Sequence, residues 1–152
     1  MALAVGDVAP DFTLAGDRGD IGLSAHRGHP VVVYFYPKDD TSGCTKEAIA
    51  FTELLPEFAR RGVAVIGISP DGVEAHRKFR AKHGLGVDLA ADPERAVLEA
   101  WGVWVEKTLY GRKYMGVERA TFLVDAEGKI ARIWRKVKVA GHAQAVLEAL
   151  AG

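Results

Sequence analysis

The chain alternates between short, unbroken apolar runs and longer stretches in which apolar residues recur every three or four positions. Val31-Val-Val-Tyr-Phe-Tyr36 is β-branched and aromatic throughout, and Pro37 ends it because proline has no N–H to extend a ladder. From Cys44 to Arg61 the apolar positions Ala48, Ile49, Phe51, Leu54, Leu55 and Phe58 fall at helical spacing. Val63 to Ser69 is again continuously apolar, as in a strand covered by helices on both faces, so this region predicts a β-α-β unit. Ser69-Pro-Asp71 opens a second helix, with Asp71 as N-cap and Glu74 three residues on, stopping at Gly84. Val87–Ala90 predicts a short strand, and Pro93–Trp101 a helix with proline in its first turn.

Ahead of these units, Asp11–Leu14 and Ile21–Leu23 are separated by the turn-forming stretch Ala15–Asp20 and predict an N-terminal β-hairpin. Glu106–Met115 is polar, contains Gly111 and follows neither period, which predicts a loop. Ala120–Asp125 and Lys129–Arg135, joined through Ala126-Glu-Gly128, predict an antiparallel hairpin, and His142–Leu150 a closing helix. Parallel β-α-β units first, with an antiparallel hairpin and a helix last, is the order of an α/β thioredoxin-like fold. Its central mixed sheet is flanked by helices. The chain has no internal repeat or low-complexity linker, and residues 1–152 are expected to form a single thioredoxin-fold domain.

Composition narrows the functions open to such a fold. At 152 residues and 49% hydrophobic the chain can fill a core, and 20 basic against 20 acidic residues leave no net field to gather nucleic acid or anionic lipid. Arg132, Arg135, Lys136 and Lys138 around Trp134 alternate with apolar residues, as on the solvated face of a half-buried strand. The N-terminal stretch lacks a basic region and a long apolar core, and no later segment reaches the roughly 18 apolar residues of a membrane span. A cytoplasmic protein is expected. His26 and His29 find no further histidine or cysteine to complete a metal site, and no phosphate-cradling glycine loop is present, so neither metal nor cofactor is assigned. Trp101, Trp104, Tyr110 and Tyr114 gather around the irregular segment, where exposed rings would form a dimer patch or substrate lining and buried ones core.

Cys44 is the chain's 1 cysteine, so an internal disulfide is impossible. By its type alone it would be a buried structural thiol, but it falls between a strand and the first turn of a helix. There the sulfur would face unpaired N–H groups and the positive end of the helix dipole, both of which favour a thiolate.

Pro37, Thr41 and Cys44 follow the spacing Pro-x3-Thr-x2-Cys, which resembles the active-site signature of the peroxiredoxins. Phe35-Tyr-Pro-Lys-Asp-Asp-Thr41, Gly43-Cys-Thr45, Ile66-Gly-Ile-Ser-Pro-Asp71, Tyr110-Gly-Arg-Lys-Tyr-Met-Gly116 and Glu118-Arg-Ala-Thr-Phe122 extend the likeness over nearly the whole chain. Together they resemble the bacterioferritin comigratory protein, or peroxiredoxin Q, subgroup. The resemblance implies a thiol peroxidase for hydrogen peroxide and organic hydroperoxides, recharged by thioredoxin, glutaredoxin or a small thiol and existing as a monomer or weak homodimer. It makes Cys44 the peroxidatic nucleophile, Thr41 a hydroxyl bonded to the sulfur and the peroxide, Pro37 a shield over the sulfur, and Arg119 the activating cation. Glu47 would orient that arginine. On the plainer reading Thr41 and Glu47 are capping or solvated helix residues, Pro37 a strand terminator and Arg119 a strand-end cation; the two readings weigh equally for Glu47, whereas the block Glu118-Arg-Ala-Thr-Phe122 favours the catalytic role for Arg119.

Two positions depart from the subgroup. Ile49 stands where members commonly carry a resolving cysteine, and Ser42 where proline is frequent. The cycle is therefore expected to use one cysteine and an outside thiol, with a Cys44–Cys44 disulfide between chains as the minor alternative. A rival reading is a thioredoxin-fold sensor or holdase in which Cys44 is oxidised once. A low thiol pKa alone does not make a peroxidase. Lowering a cysteine from about 8.5 to about 6 raises the thiolate fraction at about pH 7.4 roughly 13-fold, but a Brønsted slope of about 0.45 removes nearly the same factor. The rate must come from groups aimed at the departing oxygen.

Overall fold

A computed structural model describes residues 3–150. The predicted hairpin is formed by β1 (Thr13–Leu14) and β2 (Ile21–Gly22), followed by a 3-10 turn over Leu23–His26. The β-α-β units then run β3 (Val31–Phe35), α1 (Ser42–Arg60), β4 (Ala64–Ser69), α2 (Val73–His83), β5 (Asp88–Ala91) and α3 (Ala96–Ala100). Strands β6 (Trp104–Leu109), β7 (Arg112–Val117), β8 (Ala120–Val124) and β9 (Ile130–Trp134) precede α4 (His142–Ala149). The main sheet has 5 strands in the order β5-β4-β3-β8-β9; β3, β4 and β5 pair in parallel, while β8 is antiparallel to both β3 and β9.

The pleat of β3 divides the core. Val31, Val33 and Phe35 point to one face, where Ile66, Ile68, Trp101, Phe122 and Val124 gather. Val32, Tyr34 and Tyr36 point to the other, against Cys44, Ala48, Phe51 and Phe58 of α1, Phe79 of α2 and Val146 of α4. Burial on both faces explains why β3 reads as an apolar run rather than an alternation. Among the described residues no helix is long and apolar enough to cross a membrane.

Three sequence expectations are corrected. Glu106–Met115 is not a loop but most of the antiparallel β6–β7 hairpin, which turns at Tyr110 (φ 51°) and Gly111 (φ 76°). Both of its faces are largely solvated, so no buried side imposed an alternating pattern. The helix expected over Pro93–Trp101 contracts to α3, because Arg95 at φ 64° breaks the helical path. Asp71 does not cap α2, which begins after Gly72; its carboxylate instead accepts bonds from the Ser69 hydroxyl and the Asp39 N–H.

Candidate active site

Helix α1 delivers Cys44 at the third position of its first turn. The first intrahelical bond runs from the Thr45 N–H to the Thr41 carbonyl at 2.8 Å, leaving the N–H groups of Ser42, Gly43 and Cys44 without intrahelical acceptors. Thr41 is the N-cap in extended conformation, and 1% of the Cys44 surface is exposed. The sulfur thus sits in core packing on one side and at the positive end of a 19-residue helix on the other.

Arg119 reaches this position from the turn between β7 and β8. Its Nη2 donates to Cys44 Sγ at 3.2 Å while Nη1 donates to Glu47 Oε1 at 2.6 Å. The planar guanidinium therefore spans one turn of α1, from Cys44 to Glu47, with both ends occupied. Gly43 permits the approach, since a Cβ there would lie 3.3 Å from Nη2. Burial pulls the guanidinium down, but Glu47 and Cys44 beside it more than restore the cation and raise it above its ordinary range. Burial pushes the Glu47 carboxyl up to about 7 against the opposing pull of Arg119, and its Oε2 has no hydrogen-bond partner among the described residues. A cleft of about 360 Å³ opens beside Arg119, lined also by Val105, Glu106, Lys107, Glu118, Lys136 and Val137.

The structure brings together Cys44, Arg119 and Glu47, which the family resemblance had grouped, and Glu47 is a buried partner of Arg119 rather than a solvated helix residue. Pro37, half-buried, lies at the end of β3 on the loop leading to Thr41. The Thr41 hydroxyl is placed differently from expectation: it donates to the Lys38 carbonyl at 2.8 Å rather than to the sulfur, which leaves its oxygen free only to accept. The aromatic cluster divides. Trp101 is buried core, while Tyr110 and Tyr114 stand exposed on the hairpin. Sequence reasoning missed a buried polar group beneath the same loop, made by Tyr36, Asp39, Ser69, Asp71 and His76. The one available signal was His76 between Ala75 and Phe79 on the apolar side of α2.

With this geometry in place the likeness to known proteins is specific. The AhpC/TSA family profile matches residues 5–133, and the chain belongs to that family. Peroxiredoxin Bcp of Bacillus subtilis is 46% identical over 151 residues, covering 99% of this chain and 96% of its own. Peroxiredoxin Bcp of Xanthomonas campestris is 51% identical over 128 residues, covering 84% and 80%. The solved structure of the X. campestris bacterioferritin comigratory protein, described for its alkyl peroxide reduction activity, aligns with a TM-score of 0.90 at 45% identity over 98% of this chain and 96% of its own. The resemblance read from the motifs is thereby borne out: this is a peroxiredoxin, a thiol-dependent peroxidase whose substrate is a peroxide and whose reductant is a thiol.

Proposed function

We propose that Cys44 is the peroxidatic nucleophile and that Arg119, held by Glu47, stabilises charge as the peroxide bond breaks. The contact of one guanidinium with both Cys44 Sγ and Glu47 Oε1 carries this reading. A thiolate lone pair attacks the near oxygen of ROOH; the S–O bond forms, the O–O bond breaks, and RO⁻ leaves to take a proton as ROH. Arg119 can follow the charge from sulfur toward that leaving oxygen, which is where electrostatic help is worth most. Thr41, its own proton on Lys38, would accept a hydrogen bond from the hydroperoxide, and Pro37 would limit water at the sulfur.

Recycling follows from the count of cysteines. With Ile49 at one of the places where relatives carry a resolving cysteine, and Cys44 the single cysteine of the sequence, the Cys44 sulfenic acid has no thiol to condense with inside the chain. An external thiol therefore attacks the sulfenic sulfur and releases water, and a second thiol reduces the mixed disulfide. Thioredoxin, glutaredoxin or a small thiol fits this role. The chain is read as a single cytoplasmic domain, monomer or weak homodimer, acting on hydrogen peroxide and organic hydroperoxides without nucleic acid or membrane partners.

Turnover separates this from the single-use sensor or holdase, since a sensor stops after one equivalent. Wild type with excess thiol is expected to consume many equivalents of hydroperoxide, and intact mass after one equivalent without thiol should show one added oxygen. Cys44→Ser is expected to abolish consumption with an unchanged far-ultraviolet spectrum. Activity surviving in that variant would remove Cys44 from the mechanism, and quantitative covalent dimer in the mass measurement would replace the external-thiol route.

A further inference from the structure

The loop from Pro37 to Thr41, which joins β3 to the helix bearing Cys44, is held from beneath. Asp39 is only 8% exposed, and its carboxylate is used at both oxygens: the Tyr36 hydroxyl donates to Oδ1 at 2.6 Å, and His76 Nδ1 lies 2.6 Å from Oδ2. His76, in α2, is fully buried, and its Nε2 lies 3.1 Å from the Ala90 carbonyl. A carbonyl only accepts, so Nε2 carries a proton and Nδ1 meets Asp39 through one shared proton, whichever partner carries it. The Asp39 N–H donates to Asp71 Oδ2 at 2.8 Å, an atom that also accepts the Ser69 hydroxyl at 2.7 Å. The loop is thus tied to α2, to the end of β4 and, through His76, to β5.

The neighbouring residue shows what the tie restrains. Asp40 sits at φ 59°, a left-handed conformation uncommon outside glycine though one that aspartate tolerates better than most residues, and its exposed carboxylate meets Lys82 and His83 at 2.8 Å each, both from the end of α2. Pro37 and Thr41 are each two residues from Asp39, so both depend on the same short backbone. None of these buried polar groups touches Cys44 or Arg119 by a hydrogen bond, and the chemistry proposed above does not use them.

We infer that His76 is a positioning residue for peroxide reduction, clamping Asp39 so that the 37–41 loop keeps Pro37 and Thr41 at the mouth of the Cys44 site. The inference rests on the reading of Cys44 as the peroxidatic thiol. Without His76, a buried carboxylate keeps one of its two side-chain partners, and it relaxes by turning toward water and taking the loop with it. The sulfur then becomes easier to reach but loses its aligned surroundings. Peroxide reduction, which needs alignment, is expected to slow, while alkylation by iodoacetamide, which needs only an accessible thiolate, speeds up.

Asp39→Asn provides the conservative partner. Its amide nitrogen can donate to His76 Nδ1 and its oxygen can accept from Tyr36, with His76 Nε2–H still on Ala90, so every bond is kept without the charge. The test measures the peroxide rate constant and the iodoacetamide rate of Cys44 in His76→Phe, Asp39→Asn and wild type, well below each melting temperature. His76→Phe is expected to lose about tenfold in the peroxide reaction and gain several-fold in alkylation, and Asp39→Asn to stay within about threefold of wild type in both. A peroxide rate within twofold of wild type in His76→Phe, or equal losses in the two variants, overturns the clamp. If His76→Phe does not fold, Asp39→Ala breaks the same bond from the loop side and carries the same expectation. An inactive wild type would instead defeat the peroxidatic reading, and the alkylation rates would still decide the clamp.

Discussion

At the residue scale the site depends on one guanidinium doing two jobs in one plane. Arg119 meets Cys44 Sγ at 3.2 Å and Glu47 Oε1 at 2.6 Å, through different nitrogens of the same fork. Lysine preserves the charge but presents a single ammonium, which cannot stay on Glu47 and also follow charge from sulfur to the departing oxygen. Arg119→Lys is therefore expected to lower the peroxide rate constant by roughly 10²-fold. Stopped-flow peroxide oxidation, compared with alkylation of Cys44 at the same pH, checks this. A drop of less than about threefold, with alkylation unchanged, would move the transition-state role to another group.

At the element scale, the strand facing α1 is packed to the limit. Tyr34 is fully buried in β3, stacks on Phe51 of α1 at 4.7 Å between centroids, and lies against Gly67 of β4, where a Cβ would meet its ring at 2.7 Å. Neither neighbour can yield: Phe51 is held by α1, and the β3–β4 register pairs Tyr34 directly with Gly67. Gly67→Ala is expected to destabilise the protein by about 1–3 kcal/mol through overpacking, measured by urea denaturation. An unchanged midpoint would mean that Tyr34 has room to turn. This close approach was not legible in the sequence, where Gly67 is one residue in an apolar run, because it depends on which residue pairs opposite. What was legible were the elements whose burial imposes a pattern: β3 and β4 as unbroken apolar runs, α1 as a helical stripe. The β6–β7 hairpin was missed for the converse reason, since solvent on both faces leaves its sequence free. The same division holds at the site. Cys44 could be placed at the start of α1 from local patterning, whereas Glu47, one turn on, and Arg119, 75 residues from Cys44, were given their roles only through family resemblance. The Asp39–His76 pair, 37 residues apart, had no such guide to its role.

At the scale of the whole molecule, two buried groups beside Arg119 set opposing pH dependences of stability. His142 donates to or accepts from the Thr121 hydroxyl at 2.7 Å, and burial, helped by the Arg119 charge, lowers it from 6.5 to about 4. Below about pH 6.5 the unfolded chain takes up a proton that the native state refuses, so this contribution to stability is lost as pH falls from about 6.5 to about 4. Glu47 works in the other direction. Its native carboxyl, raised by burial from 4.5 to about 7, keeps a proton that the unfolded chain has already released, so stability is lost as pH rises through that window. Between about pH 4.5 and 6.5 the two slopes oppose each other, and the wild type conceals both. His142→Gln keeps a hydrogen-bonding group for Thr121 but does not titrate. Relative to wild type it is expected to gain on the order of 2 kcal/mol of stability as pH is lowered from about 6.5 to about 4, leaving the Glu47 slope exposed. Urea unfolding of both proteins across this range measures the difference directly. A constant offset between them would show that His142 takes up its proton equally well in the folded and unfolded chain, and that Arg119 and burial do not govern it.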